Sequence, residues 1–304
     1  MSKEQLRYYF NHIERCNMCG SDAEGHKVLG KRLNKSQGKN PKKKTGITTT
    51  VVQCRNCGLI YANPQPVPFS IQDHYGVPPE EYWVNMDFSI GNNYFQGEIR
   101  TIKRLIPFKE GMKSLDVGTG LGKAMNVMSK AGFDVYGFEP SEPFYKKAIS
   151  LSGISPDRIK LGMIENMDYP QNHFDFITFG AVLEHLYNPS DALIKALGWL
   201  KPQGVIHIEV PSKDWLIHKI INRFYRLTGS DYVANISPMH EPYHLYEFGL
   251  ESFREHAKHH NYEITFYEYY VCKTHLPRIA DLLLKRYMKW TNTGQQLCVW
   301  LRKK

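Results

Sequence analysis

Residues 113–122 read Lys113-Ser-Leu-Asp-Val-Gly-Thr-Gly-Leu-Gly122, a short apolar strand that runs into a glycine-rich turn and then a helix. Glycines in such a turn let the backbone approach a ligand closely, and the free amides at the helix start favour an anionic group. Glu139 closes the next predicted strand, where its carboxylate can accept hydrogen bonds from both hydroxyls of a ribose. Asp116, directly before the glycines, suits an ammonium group and would repel a pyrophosphate. The stretch therefore predicts a site for a ribose-containing ligand that also carries an amino group.

The chain after residue 113 alternates short apolar strands with amphipathic helices, a pattern typical of a parallel sheet with right-handed crossovers. The predicted strands are 114–117, 134–138, 159–161, 174–179 and 205–210, and the predicted helices are 122–131, 141–151 and 189–200. A further helix over 250–259 and two final strands over 262–271 and 295–302 complete the pattern. The fold class is therefore α/β.

The chain divides into three predicted parts. Residues 1–68 are rich in Lys, Gly, Asn and Thr and end in the proline-studded run Asn63-Pro-Gln-Pro-Val-Pro68, which marks a domain boundary. Residues 69–110 are aromatic and then helical in pattern, and we expect them to cover the following domain. Residues 111–304 form the α/β domain, with 212–247 as an insertion that covers the substrate.

The composition is that of a globular protein, with 42% hydrophobic residues in a chain of 304, and it excludes disorder over the whole length. No apolar run approaches the roughly 18 residues that span a bilayer. The first residues lack the apolar core of a secretion signal. We therefore expect a cytoplasmic protein without a transmembrane segment.

Four of the six cysteines form two copies of Cys-x-x-Cys-Gly, at Cys16, Cys19, Cys54 and Cys57. This spacing lets both thiolates of a pair reach one tetrahedral ion, and the following glycine tolerates the tight turn. Two such pairs complete a closed shell of four thiolates, so the sequence predicts a structural Zn²⁺ in a small zinc ribbon. Cys272 and Cys298 carry no spacing signal and are expected to be core thiols.

The net charge of +9 lies almost entirely in the first part of the chain. Residues 1–65 hold 12 Lys+Arg against 4 Asp+Glu, and no acid occurs between Lys27 and Lys44. This lysine-rich segment can hold a phosphate-rich partner such as RNA, a nucleotide-linked substrate or an anionic lipid head group. The alternative is a solvated loop between the two cysteine pairs.

Beyond these features, the chain resembles the class I S-adenosylmethionine-dependent methyltransferases over roughly residues 95–304. The resemblance lies in the glycine turn with Glu139 and in Asn172-His-Phe-Asp175-Phe-Ile, Ala181-Val-Leu-Glu184-His185-Leu, Leu200-Lys-Pro-Gln-Gly204 and the closing pair of strands. It implies a Rossmann-like sheet, mostly parallel with the last strand antiparallel, and S-adenosylmethionine as the methyl donor.

The same resemblance implies which residues bind this cofactor. The glycine turn would cradle the methionine part with Asp116 near its amino group, Glu139 would bind the ribose, and Ile164 and Glu165 would lie beside the adenine. The implied residues are Asp116, Gly118, Thr119, Gly120, Gly122, Glu139, Pro140, Ile164, Glu165 and Gly180. Many relatives carry an acid that contacts the base at the position of Met163, so the chain departs from the family there.

A zinc ribbon before such a domain resembles a subgroup of bacterial methyltransferases that includes enzymes acting on deoxysugars. This favours a small-molecule or saccharide-type acceptor and O- or C-methylation. The run Phe179-Gly-Ala-Val lacks the Asn/Asp-Pro-Pro-aromatic element of many enzymes that methylate exocyclic base nitrogens. Two alternatives stay open: an RNA methyltransferase whose lysine-rich zinc module holds phosphates, and a cofactor-binding scaffold without activity. The sequence predicts no oligomeric state.

Two segments offer groups for catalysis. The loop after Phe179 should face the transferred methyl group, because ligands of open α/β sheets bind at the carboxyl ends of strands, and it carries Glu184 and His185. The run from Met239 to Phe248 resembles a histidine-containing element of the family that borders the substrate. The candidate catalytic residues are His185, His244, Glu184 and Tyr243, with His240 as an orienting group. Each histidine can serve as the base, or these side chains only brace their loops.

A third hypothesis assigns Glu184, His185 and His244 to a second metal ion. Small-RNA terminal methyltransferases have such a site with an additional Glu three positions before the Glu-His pair, and that position is Ala181 here. This difference speaks against the metal.

Residues 215–227 combine apolar and basic side chains on a helical period, and two interpretations apply to them. The segment is either a lid packed on its own domain, which the sequence analysis favours, or a helix that lies on a membrane surface.

Overall fold

The computed structural model describes residues 8–35, 44–82, 89–271 and 277–304. The strands are β1 (Tyr8–Asn11), β2 (Lys27–Lys35), β3 (Lys44–Gln53), β4 (Ile60–Ala62), β5 (Gln65–Pro68), β6 (Lys113–Val117), β7 (Asp134–Glu139), β8 (Ile159–Leu161), β9 (Phe174–Gly180), β10 (Leu200–Pro211), β11 (Tyr246–Glu247), β12 (Tyr262–Tyr270) and β13 (Gln296–Lys303). The helices are α1 (Gln72–Tyr75), α2 (Pro79–Tyr82), α3 (Gln96–Leu105), α4 (Lys123–Lys130), α5 (Glu142–Ser152), α6 (Pro189–Trp199), α7 (Leu216–Leu227), α8 (Leu250–Ala257) and α9 (Arg278–Trp290).

The central sheet has seven strands in the order β12-β13-β10-β9-β6-β7-β8. Strands β8, β7, β6, β9 and β10 pair in parallel, and β13 is antiparallel to both β10 and β12. The sheet runs from β6 through β7 to β8 on one side and from β9 to β10 on the other, so the strand order reverses between β6 and β9. The predicted α/β class, with a mostly parallel sheet and an antiparallel last strand, is confirmed.

The helices cover both faces of this sheet because successive strand residues point to opposite sides. Phe176 of β9 lies in one apolar cluster with Ile102 of α3 and Met128 of α4. Its neighbour Ile177 lies in a second cluster with Leu193 of α6 and Phe253 of α8. The predicted start of α6 is also confirmed, since the side chain of Asn188 accepts a hydrogen bond from the Asp191 amide at 3.2 Å.

The N-terminal segment forms two small sheets of its own, one of β1 and β5 and one in the order β11-β4-β3-β2. Strand β11 comes from the segment 212–247 and pairs with β4, where Tyr246 lies opposite Tyr61. Cys57, Leu59 and Tyr61 share one apolar cluster with Leu115 and Ile177 of the central sheet. The N-terminal module therefore packs continuously with the α/β core, and the predicted boundaries at residues 68 and 110 stay predictions.

The sequence analysis predicted the two final strands over 262–271 and 295–302 and made no assignment between them. Helix α9 lies between β12 and β13. Most apolar side chains of α9 are exposed, so the helix contributes little to the hydrophobic core. None of the helices in the described ranges is both long enough and apolar enough to cross a membrane.

Candidate functional site

A cavity of about 430 Å³ opens at the carboxyl ends of β6, β7 and β9, next to the point where the strand order reverses. Ligands of open α/β sheets bind at such a point. The cavity is lined by these eight of the predicted cofactor residues: Gly118, Thr119, Gly120, Glu139, Pro140, Ile164, Glu165 and Gly180. Asp116 and Gly122 flank the glycine turn and are not part of the lining, whereas Met163 is.

The glycine turn has the backbone conformation that requires glycine. Gly118, Gly120 and Gly122 have φ values of +66°, +54° and +70°, in the region that other residues rarely adopt. A Cβ atom on Gly118 would lie 2.8 Å from the Val182 side chain. Nothing lies within 4 Å of the corresponding position on Gly120, so the backbone there is open to a ligand.

Two buried carboxyl groups lie at this turn. Glu139 accepts hydrogen bonds from the amides of Gly120 at 2.8 Å and Ser141 at 2.9 Å, and burial raises its pKa to about 7. Burial and the nearby charge of Glu139 raise the pKa of Asp116 to about 8. Oδ2 of Asp116 and Oγ1 of Thr119 have no hydrogen-bond partner within the described residues. Buried polar atoms of this kind fit a ligand with an amino group and ribose hydroxyls.

The segment before the α/β domain closes one side of the cavity. Ile71 and Tyr75 line it, and the carbonyl of Tyr75 accepts a hydrogen bond from the Ser141 hydroxyl at 2.6 Å. Gln72 donates to the carbonyl of Pro140 at 3.0 Å. The sequence analysis missed Tyr75, because the only available signal was the aromatic character of residues 71–105.

Three of the four predicted catalytic residues come together. Oε1 of Glu184 lies 3.9 Å from Nε2 of His185 and 3.8 Å from Nε2 of His244, and the two imidazole rings are 5.0 Å apart. One potential ligand atom from each of the three lies within 4.8 Å of the others, which is also compatible with a shared metal ion. His185 lines the cavity, while Glu184 and His244 lie behind it.

Burial favours the uncharged form of each of these three side chains. It raises the pKa of Glu184 to about 8 and lowers the pKa of His185 to about 4. The pKa of His244 falls well below its ordinary value, first through burial and then through the neighbouring histidines. Neither carboxylate oxygen of Glu184 has a hydrogen-bond partner within the described ranges.

The remaining two predicted groups, Tyr243 and His240, contact other side chains and do not line the cavity. The Tyr243 ring stacks on His74 with centroids 3.9 Å apart, and the Tyr243 carbonyl oxygen lies 3.3 Å from Nδ1 of His185. Nε2 of His240 lies 3.3 Å from the Arg32 guanidinium. Tyr243 therefore reaches His185 through its backbone rather than through its hydroxyl.

The four predicted zinc ligands converge on one point. Sγ of Cys16 lies 3.5 Å from Sγ of Cys57, and Sγ of Cys19 lies 3.6 Å from Sγ of Cys54. Zn–S bonds of about 2.3 Å in a tetrahedron place the sulfur atoms about 3.8 Å apart, so the four thiols fit this ion. Gly20 and Gly58 have positive φ, and their amides donate to the carbonyls of Cys16 and Cys54, which closes each turn.

The first cysteine turn also contacts the α/β domain. The side chain of Asn17 donates to the carbonyl of Tyr187 at 3.0 Å and to the hydroxyl of Tyr246. Tyr187 lines the cavity described above. The cysteine site and the cavity are therefore linked through a single hydrogen-bonded side chain.

The lysine-rich segment lies partly outside the described residues, since Lys39, Lys42 and Lys43 belong to 36–43. Two of its cations are used within the protein. Lys31 forms an ion pair with Asp231 at 3.0 Å, and buried Arg32 donates to the carbonyl of Ile236 at 2.8 Å. The predicted basic patch is thus smaller than the charge count suggested.

Comparisons with known proteins found similar sequences and similar structures. The chain is similar to two curated proteins called ubiquinone biosynthesis O-methyltransferase. It is 24% identical over 135 residues to the one from Rhodopseudomonas palustris and 30% identical over 138 residues to the one from Actinobacillus pleuropneumoniae. Each match covers 42% of this chain and 49% and 56% of those proteins, so the chain spans about half the length of the curated relatives it matches. A solved S-adenosylmethionine-dependent methyltransferase from Mesorhizobium loti has a TM-score of 0.49 at 14% identity, covering 67% of this chain and 96% of the other.

The family profile described as a methyltransferase domain matches residues 93–266, which is more than half of the chain. This range contains the glycine turn, both buried carboxyl groups and the cluster of Glu184, His185 and His244. The chain therefore belongs to the methyltransferase-domain family.

Proposed function

We propose that this protein transfers a methyl group from S-adenosylmethionine to a hydroxyl group or an acidic carbon of a small-molecule or saccharide-type acceptor. The observation that carries the proposal is that the imidazole of His185 lines the same cavity as the glycine turn. Curated relatives named O-methyltransferases support a hydroxyl acceptor.

The proposed cofactor contacts follow from the unsatisfied groups. Asp116 and Thr119 would bind the amino and carboxyl end of the methionine part, with the open backbone of Gly120 beside it. Glu139 would accept from the ribose hydroxyls while its two backbone hydrogen bonds fix its position. Ile164 and Met163 offer an apolar surface to the adenine. Gly122 would act as the start of α4 rather than through direct contact.

When bound, S-adenosylmethionine supplies the electrophilic methyl group of an in-line displacement, in which the acceptor forms the new bond to carbon as the carbon–sulfur bond breaks. His185 would take the acceptor proton, since its lowered pKa keeps the imidazole neutral at physiological pH. A carbonyl oxygen can only accept, so the contact with Tyr243 favours the tautomer with hydrogen on Nδ1 and a lone pair on Nε2. Glu184 and His244 would hold this imidazole in place.

The cysteine site is proposed to hold one structural Zn²⁺. Four thiolates leave no coordination position for water or substrate, so the ion would not take part in the chemistry. Its ligands would instead fix the two cysteine turns against the α/β core, where Cys16, Cys54 and Cys57 are buried.

The direct test incubates the purified protein with methyl-labelled S-adenosylmethionine and separate pools of sugar nucleotides, small hydroxylated aromatics, lipids and RNA. We expect label in a small-molecule or saccharide pool, and labelling at least about 10²-fold slower with His185→Asn. The matched control is His12→Asn, which changes an exposed histidine. Label in RNA alone would replace the proposed acceptor with the RNA alternative. Binding of the cofactor without transfer to any pool would favour a scaffold.

A further inference from the structure

Helix α9 presents its apolar side chains to solvent. Ile279, Leu282, Leu283, Tyr287 and Trp290 recur at spacings of three and four on one face, and each is between 50% and 82% exposed. The opposite face carries the ion pair of Asp281 and Lys285 at 2.9 Å and the buried Met288. A surface helix of a globular protein has the reverse arrangement, with its apolar stripe toward the core.

Helix α7 repeats this feature. Ile220, Phe224 and Leu227 form an exposed stripe at spacings of four and three, with Leu227 77% exposed. A second stripe consists of Lys219, Arg223 and Arg226, each of which directly precedes one of these apolar residues in the chain. No residue of α7 is fully buried.

Of the seven Lys and Arg side chains on these helices, two form ion pairs within the described ranges. Lys219 pairs with Asp214 and Lys285 with Asp281. Within the described ranges, the remaining cations of the two helices form no ion pair with a carboxylate; they are Arg223, Arg226, Arg278, Arg286 and Lys289. Helix α7 contains no acid, and Asp281 is the only acid of α9.

The start of helix α7 lies next to the segment that follows α9. The amide of Leu216, at the start of α7, donates to the carbonyl of Thr293 at 3.1 Å, three residues after α9 ends. The amide of Ser212 donates to the carbonyl of Gln295 at 2.9 Å. These hydrogen bonds place the first residue of α7 close to the C-terminal end of α9, where Trp290 is exposed.

We propose that α7 and α9 dock the protein on the surface of a bilayer that contains anionic lipids. Apolar side chains next to unpaired cations suit the boundary between acyl chains and negatively charged head groups, and Trp290 is a residue type that favours this boundary. A second copy of the chain fits less well, because a two-fold contact would bring the cationic stripes of both copies together without acids to neutralise them. The inference is independent of the proposed methyl acceptor.

The test measures co-sedimentation of the full chain with vesicles of phosphatidylcholine alone and of phosphatidylcholine mixed with phosphatidylglycerol. We expect binding to the anionic vesicles that weakens as salt rises. Arg223→Gln with Arg226→Gln should reduce this binding roughly 25-fold, at about fivefold per cation. Leu283→Gln with Trp290→Gln should reduce vesicle binding by at least as much, because apolar area that the bilayer would bury is removed. Both side chains are exposed, so their replacement should leave the core undisturbed.

Matched controls change comparable residues elsewhere on the surface. Ile194→Gln replaces an aliphatic side chain of α6 that is 40% exposed, and Lys130→Gln removes an exposed cation of α4. Both should bind vesicles like the unchanged protein. A blue shift of tryptophan emission on vesicle addition, lost in Trp290→Phe, would locate the contact at α9.

Three results would overturn the proposal. They are the absence of binding to anionic vesicles at low salt, equal binding to neutral and anionic vesicles, and equal losses in the control variants. A concentration-dependent dimer that Leu283→Gln with Trp290→Gln dissociates, in a protein that ignores vesicles, would instead assign the surface to a second copy.

Discussion

The hydroxyl of Tyr75 lies 2.9 Å from Nδ1 of His185, although 110 positions separate the two residues in the chain. The same nitrogen lies 3.3 Å from the carbonyl oxygen of Tyr243. Two groups from different segments thus hold the imidazole of His185, which lines the cavity. This arrangement makes the orientation of His185 depend on helix α1 as well as on the segment around Tyr243.

Tyr75→Phe should lower kcat about fivefold, the effect of losing roughly 1 kcal/mol from one hydrogen bond, with little change in KM for the cofactor. Steady-state kinetics across pH would check this, because a misoriented base changes the pH profile of kcat. Tyr136→Phe is the matched control, since it removes a hydroxyl that contacts Asp134. Equal kinetics of Tyr75→Phe and the unchanged protein would argue against a positioning role.

His185→Asn should reduce kcat by about 10² to 10⁴, the usual contribution of a general base. His244→Asn should have a smaller effect, because its ring lies behind Glu184 rather than in the lining. Single-turnover methyl transfer with each variant measures the difference. If chelator abolishes activity and Mg²⁺ restores it, the three residues act through a metal ion and the general-base assignment is wrong.

Asp116→Asn should weaken cofactor binding and yet stabilise the cofactor-free fold. Buried carboxyl groups with raised pKa values retain protons that the unfolded chain releases, so stability falls as pH rises toward their folded pKa values. Because the folded pKa values are about 7 for Glu139 and about 8 for Asp116, the stability of the fold should decrease mainly between pH 5 and 8. Each group contributes up to about 1.4 kcal/mol per pH unit.

Thermal unfolding of the cofactor-free protein at several pH values would reveal this dependence, which Asp116→Asn should reduce. The ionised carboxylate should bind the cofactor's ammonium group more tightly, so cofactor affinity should rise over the same range. Asp191→Asn, at an exposed position of α6, should leave both dependences unchanged. A cofactor affinity that is constant from pH 6 to 8.5 would exclude Asp116 as the partner of the ammonium group.

Cys54→Ser should remove the bound zinc and destabilise the whole protein rather than one module. The cysteines share an apolar cluster with the central sheet, and structural zinc sites contribute about 10 kcal/mol or more to folding. Native mass spectrometry would count the ion, and circular dichroism would follow unfolding. Cys298→Ser, also fully buried, should retain one zinc per chain. An unchanged protein that contains no zinc after expression with the metal would contradict the site.

The sequence predicted most of the α/β domain because each of its elements carries a local signal. The predicted strand 159–161 coincides with β8, and the predicted helix 189–200 begins at the same residue as α6. Strand β10 begins at Leu200 and not at residue 205, the predicted start. Both Leu200 and Val205 pair with β9, and the register shifts between the two pairs. That shift depends on pairing with β9 and has no local pattern.

The site was predicted in part for the same reason. The cysteine spacing, the glycine turn and the Glu184-His185 pair are local motifs, and their members come together in the structure. The contact of Tyr75 with His185 and the pairing of β11 with β4 depend on chain segments more than 100 positions apart. Helix α9 carries a local signal as well, with apolar residues at spacings of three and four, and the sequence analysis did not use it.

The hydrogen bond from Asn17 to the Tyr187 carbonyl has a thermodynamic consequence. Asn17 lies between Cys16 and Cys19, while Tyr187 borders the cavity, so ordering either site restricts the other. Occupancies coupled in this way are reciprocal: if bound metal tightens cofactor binding by some factor, bound cofactor must tighten metal binding by the same factor. The metal occupancy of the cysteine site would then change the cofactor concentration that the protein needs for half-saturation.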